Sequence, residues 1–195
     1  MKRAMAVWIC AVVFAIGILF AVPLGREQAE RYSVPLELFQ TEDGSYQYDG
    51  CAWDSTLEDV MTRLPYTMEE MDVGAKDSVE AADYRYYRSE EMFSLDGQYA
   101  VLQMTFVNDR LSEVQFSFEL TEGFAAWFDR QAEMLAKLYG TEDARRESAA
   151  FKEDDYTHLS YNWFAEDTIL QFSLISGPEA EPVAVLGAVK VGHKT

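Results

Sequence analysis

Basic residues are scarce in this chain of 195: Lys and Arg total 16 against 34 Asp and Glu, a formal net charge of −18. A field of that sign repels phosphate backbones and argues against nucleic acid as a partner. Cysteine is nearly absent, with two residues, so no disulfide framework staples the chain. Histidine is equally rare. His158 has no second His or Cys at ligand spacing, and His193 sits in the terminal Gly192-His193-Lys194-Thr195, so neither points to zinc. No Gly-x-Ser-x-Gly elbow accompanies them, which removes the usual hydrolase nucleophile. Neither Gly-x-Gly-x-x-Gly nor Gly-x-x-x-x-Gly-Lys occurs, so no nucleotide cofactor has a visible cradle. The sequence therefore predicts no cofactor, no metal and no catalytic residue. The acidic runs Glu69-Glu70-Met71-Asp72, 77–83 and Glu153-Asp154-Asp155 lack the Asp-x-Asp-x-Asp-Gly loop that would hold calcium.

Apolar residues, by contrast, make up 49% of the chain and aromatics 14%, enough to offset the ordering entropy of a folded domain. The first of them form an unbroken run, residues 4–22, behind Met1-Lys2-Arg3. As a helix at about 1.5 Å per residue it is roughly 28 Å long, close to the hydrocarbon thickness of a bilayer. The run exceeds a typical signal-peptide core, and Pro23-Leu24-Gly25 offers no Ala-x-Ala-like site, so an uncleaved anchor over residues 1–25 is preferred to a cleaved signal peptide. Lys2 and Arg3 place the N-terminus in the cytoplasm and send residues 26–195 out. That exported part keeps all 34 acids and 14 bases, net −20, and a single cysteine, Cys51, read as a small buried hydrophobe beside Trp53.

Residues 26–47 read as a juxtamembrane stalk. A helix then follows from the stripe Leu57, Val60, Met61 and Leu64, with Ser55 and Glu58 as a capping box and Pro65 as the stop. Residues 66–81 are acidic and irregular. Beyond them the period changes to two: Tyr84–Arg88 is a candidate strand, and Asp96-Gly97 marks a turn. Ala100, Leu102, Met104 and Phe106 alternate with polar neighbours, as do Val114, Phe116 and Phe118. If both sets face one core, a three-residue loop Asn108-Asp109-Arg110 pairs Val107 with Leu111, Met104 with Val114 and Leu102 with Phe116. A second helix is predicted from Phe124, Phe128, Gln131, Leu135 and Leu138, flanked by Trp127 and Met134, capped by Thr121 and stopped by Gly140. An acidic, basic-studded linker leads to alternating runs at 158–164, 168–175 and 182–191. The hairpin between the first two of these needs an even loop, Ala165-Glu166 or one two residues longer.

Helix, acidic stretch and about three strands thus occur twice, over 48–120 and 121–195. The predicted fold class is α+β: an N-terminal transmembrane helix followed by two helix-plus-antiparallel-strand units that form one sheet with helices on one face. The segment Asp49-Gly50-Cys51-Ala52-Trp53-Asp54-Ser55-Thr56-Leu57-Glu58-Asp59-Val60, together with the double unit, resembles the beta-lactamase inhibitory protein group and small bacterial envelope-assembly lipoproteins. What the resemblance implies is a tandem-repeat binding scaffold whose sheet clasps a protein. The inhibitor group's paired disulfides are absent here, and no functional residue is carried over.

Aromatic rings occupy both parities of Tyr84–Arg88 and of Tyr161–Phe164, so some must leave the helix-covered face. Tyr84, Tyr86, Tyr87, Arg88, Tyr161 and Trp163 are the predicted binding residues, since exposed Tyr and Trp beside Arg are typical of interaction surfaces. The functional expectation is a membrane-tethered extracytoplasmic module with a protein or peptide partner and no enzymatic activity. The alternative is a cell-envelope enzyme acting on carbohydrate or peptide through a carboxylate pair.

Overall fold

The computed structural model describes residues 32–72, 83–151, 156–177 and 181–191. The element order is β1 (Tyr32–Ser33), a 3-10 turn (Leu36–Phe39), α1 (Leu57–Arg63), β2 (Met68–Met71), β3 (Tyr84–Leu95), β4 (Gln98–Val107), β5 (Arg110–Glu119), α2 (Phe124–Tyr139), β6 (Ala144–Phe151), β7 (Tyr156–Phe164), β8 (Thr168–Ser176) and β9 (Val183–Lys190). All nine strands belong to one sheet, ordered β1-β3-β4-β5-β9-β8-β7-β6, with β2 also pairing with β3. The chain crosses from the centre of the sheet to its far edge through α2. It then meanders back until β9 pairs antiparallel with β5.

The expected fold class set two helix-plus-antiparallel-strand units behind an N-terminal transmembrane helix; it is overturned by a single large mixed sheet of nine strands carrying two α-helices among the described residues. The sheet is mixed, because β1 runs parallel to β3. Strands also form where the sequence suggested a stalk (β1), an irregular stretch (β2) and a linker (β6). The physical reason is position: β2 and β6 lie at sheet edges, where charged residues are tolerated and no apolar alternation is required. Among the described residues no helix is long and apolar enough to cross a membrane. The run 4–22 lies outside them.

Within the sheet the hairpin chemistry is legible. Asp96 and Gly97 take positive φ (45° and 80°) and close a two-residue turn between β3 and β4. Asn108 and Asp109 do the same between β4 and β5, at 52° and 60°. The loop is thus two residues, not three, and Val107 pairs with Arg110. A bulge beside Thr105 and Phe106 restores the expected register, so that Met104 meets Val114 and Leu102 meets Phe116. Between β7 and β8 the loop is the longer even one, with Phe164 opposite Ile169.

Both helices pack on one face. The cap of α1 is Thr56, not Ser55: its side chain accepts from the Asp59 amide while the Asp59 carboxylate accepts from the Thr56 amide. Ser55 is instead held in the loop, its carbonyl accepting from Leu111 N–H. Val60 and Leu64 bury into the common apolar cluster. In α2, Gly123 takes the cap position at φ 80°, and Thr121 donates its N–H to Gln98 Oε1 instead. Trp127 and Phe128 of α2 pack on Phe172, the latter stacked at 4.3 Å, whereas Leu138 is 48% exposed. Nearer α1, Phe116 gathers Phe39, Tyr48 and Phe93 within about 6 Å. Each such ring removes on the order of 2 kcal/mol worth of apolar surface from water.

Candidate functional site

Side chains alternate across each strand, so the residues between the core positions line the opposite face of the sheet. Register fixes which of them meet. One transverse row runs Arg88, Gln103, Gln115, Gly187, Gln171, Asn162 across six strands. The row on one side of it is Tyr86, Thr105, Glu113, Val189, Ile169, Phe164, and the row on the other includes Val101, Ser117, Val185, Ser173 and Ser160. A small apolar cluster of Ile169, Val185 and Val189 lies on this face, separate from the main core. The amides and hydroxyls around it are buried nonetheless, Gln103, Gln115, Ser117 and Gln171 among them.

Several of these polar groups have no protein partner. Gln115 Nε2 donates to Gln103 Oε1 at 2.8 Å, which leaves Gln115 Oε1 and Gln103 Nε2 unpaired. Ser117 Oγ and Gln171 Oε1 are unpaired as well. Glu113 is 2% exposed; its Oε2 accepts from Thr105 Oγ1 at 3.0 Å, and its Oε1 has no partner. Burial pushes the Glu113 carboxyl up to about 7, only partly opposed by the Thr105 hydrogen bond. Buried polar groups are ordinarily satisfied, and each one left unpaired costs about 1–3 kcal/mol. Five such atoms lie together in this one band.

Gly187 shapes the floor of the band. A Cβ there would lie 2.6 Å from Gln115 Cβ and 2.7 Å from Val114 O, so only glycine lets β9 approach β5 so closely.

The six residues predicted from the sequence divide between the faces. Tyr84, Tyr86 and Arg88 flank the polar band: Tyr84 and Tyr86 stack at 6.4 Å, Tyr84 is 41% exposed, and Arg88 pairs with Glu69 of β2. Tyr87, Tyr161 and Trp163 point to the helix side. Tyr87 is buried edge-on to Phe106, and Tyr161 is half-buried between Phe128 and the Arg145 guanidinium. Trp163 is 1% exposed and donates Nε1–H to Gly140 O. The amide band itself was missed, because Gln103, Gln115 and Gln171 register in a sequence only as the polar half of an alternation. The signal was there: the predicted β4–β5 register already sets Gln103 opposite Gln115, with uncharged amides where an exposed strand face usually carries charge.

The other candidates are less organised. Cys51 is buried beside an open recess of about 520 Å³ that Ser55, Asp59 and Arg63 also line, and burial raises its thiol to about 11, so it is not a thiolate at neutral pH. Among the described residues no group of three His, Cys, Asp or Glu is placed to hold a metal. Glu69 and Glu70 pair with Arg88 and Arg85, while residues 77–82, 153–155 and His193 lie outside the described residues. No family model, curated protein or solved structure matches this chain.

Proposed function

We propose that this chain is a non-catalytic binding module, held at a membrane through residues 4–22 with the remainder outside the cytoplasm, that receives a peptide segment of a protein partner on the polar face of its sheet. The observation that carries the reading is the band of five buried, unpartnered polar groups, Gln103 Nε2, Glu113 Oε1, Gln115 Oε1, Ser117 Oγ and Gln171 Oε1. An extended peptide supplies what they lack, since every residue offers one N–H and one C=O at close intervals. Tyr84 and Tyr86 add rigid ring surface at the side of the band where a partner's side chain can lie. An envelope enzyme needs two converging carboxylates, and Glu113 is the one buried acid among the described residues.

The test is a double variant, Gln103→Leu with Gln115→Leu. Replacing both members of a buried amide pair by apolar groups of similar size leaves stability unchanged or raises it, because two unsatisfied atoms disappear. Binding of peptides to the same variant should weaken by about tenfold or more. A variant that unfolds more easily yet binds as before would show the amides to be structural and remove the proposal.

A further inference from the structure

We infer that Glu113 is the recognition point for a cationic side chain of the bound peptide, a lysine ammonium above all, which lies against its unpaired Oε1. The inference rests on the peptide-binding reading of this face and names the chemistry it selects. A carboxyl group in this position has one oxygen satisfied by Thr105 and the other buried without a hydrogen-bond partner. The cations of the neighbouring elements are committed elsewhere: Arg85 to Glu70 and Asp109, Arg88 to Glu69, and Lys190 to Asp54. No described base therefore answers the one buried acid.

The surroundings suit an ammonium group. Val189 of β9 stands directly across from Glu113, and Thr105 of β4 on its other side. Tyr86 of β3 lies next in the same row and stacks on Tyr84, giving ring surface against which a lysine stem can pack and toward which a cation is attracted. The unpaired oxygen of Gln115, two residues along β5, can accept a second ammonium hydrogen. The net charge of −18 draws cationic peptides toward the surface before any contact forms.

The arrangement makes binding pH-dependent. Glu113 is pushed up to about 7 by burial, and a cation at Oε1 favours the ionised form, so occupation by lysine expels the carboxyl proton. The titratable and charged groups facing Glu113 are Tyr84, Tyr86 and Arg88 of β3. Burial, and then the charge of Glu113, keep the Tyr86 phenol neutral well above this range, and Arg88 is paired with Glu69. From β4 come Thr105 and Gln103, and from β9 Val189 and Gly187, none of which titrates.

The experiment compares two capped pentapeptides, alanine with a central lysine and alanine with a central norleucine, binding to the full chain in detergent by titration calorimetry in two buffers of different ionisation enthalpy. Near pH 7 the lysine peptide should bind about tenfold tighter or better and release about half a proton per complex, because the free carboxyl is then about half protonated. In Glu113→Gln the preference for lysine over norleucine and the proton release should both vanish. Equal affinities, no release from the native chain, or a preference that survives Glu113→Gln would overturn the assignment while leaving the peptide-binding reading in place. If neither peptide binds, that reading falls and takes this inference with it. The proton count is taken on the native chain, so it decides even if the variant folds poorly.

Discussion

Gln115 and Gln103 bond to each other across β5 and β4 at 2.8 Å, and the bond uses only half of each amide. Turning both amides through 180° reverses the bond and leaves the same surplus of one donor and one acceptor. The pair therefore presents a complementary couple to whatever lies on the face, whichever way it is set. A peptide group carries the matching couple.

Glu113 makes the fold's stability depend on pH. Its carboxyl is raised in the folded chain from an ordinary 4.5 to about 7, so the folded state holds the proton more tightly than the unfolded one. Below about pH 4.5 the group is neutral in both states and carries no ionisation cost. The burden of ionising it appears as pH rises through the window from about 4.5 to 7, and unfolding free energy falls by roughly 3 kcal/mol there. Denaturant titrations from pH 5 to 8 should show this slope in the native chain and a flatter one in Glu113→Gln; parallel slopes would contradict it.

Gly187→Ala places a methyl group 2.6 Å from Gln115 Cβ and 2.7 Å from a backbone oxygen that cannot swing aside. The β5–β9 seam joins the two halves of the sheet, so the strands must separate there. A loss of about 2–3 kcal/mol in urea denaturation is expected. A variant as stable as the native chain would mean that the seam is looser than described.

Phe172 and Phe164 test which face carries the core. Phe172 is fully buried between Trp127 and Phe128, and Phe172→Ala should cost about 3–5 kcal/mol. Phe164 is 39% exposed at the end of the polar-face row, and Phe164→Ala should stay within about 0.5 kcal/mol. Thermal or chemical denaturation of the pair of variants checks both figures.

Cys51 should resist thiol reagents in the folded chain. Its thiol is buried and raised to about 11, chiefly by desolvation, so little thiolate exists at pH 8. Labelling with a chromogenic disulfide reagent should be slow in buffer and fast in denaturant. Rapid labelling in buffer would contradict the burial.

The interior of the sheet could be read from the sequence because its strands bury one face and therefore alternate. Met104, Val114, Leu102 and Phe116 announce their own pairing. Even the bulge beside Thr105, invisible in the sequence, preserved that register by compensating for a loop one residue shorter than expected. The edge strands were illegible for the opposite reason: Met68–Met71 and Ala144–Phe151 need no apolar face to be strands. The site was half legible. Tyr84, Tyr86 and Arg88 could be found by asking which rings had no place in the core, whereas Trp163 and Tyr87 differ from them only by parity, and parity shifts with every bulge. The amide band becomes visible only when register lines up Gln103, Gln115, Gly187 and Gln171 in a single row.

The most direct test of the central claim follows the side-chain amide resonances of Gln103, Gln115 and Gln171 by nuclear magnetic resonance as the lysine peptide is added to the full chain. These signals should move together and saturably, while the indole N–H signals of Trp127 and Trp163, held on the helix side by Leu95 and Gly140, stay in place. Shifts confined to the indoles or to α1, with the three glutamine amides unmoved, would contradict the claim that the polar face is where a partner binds.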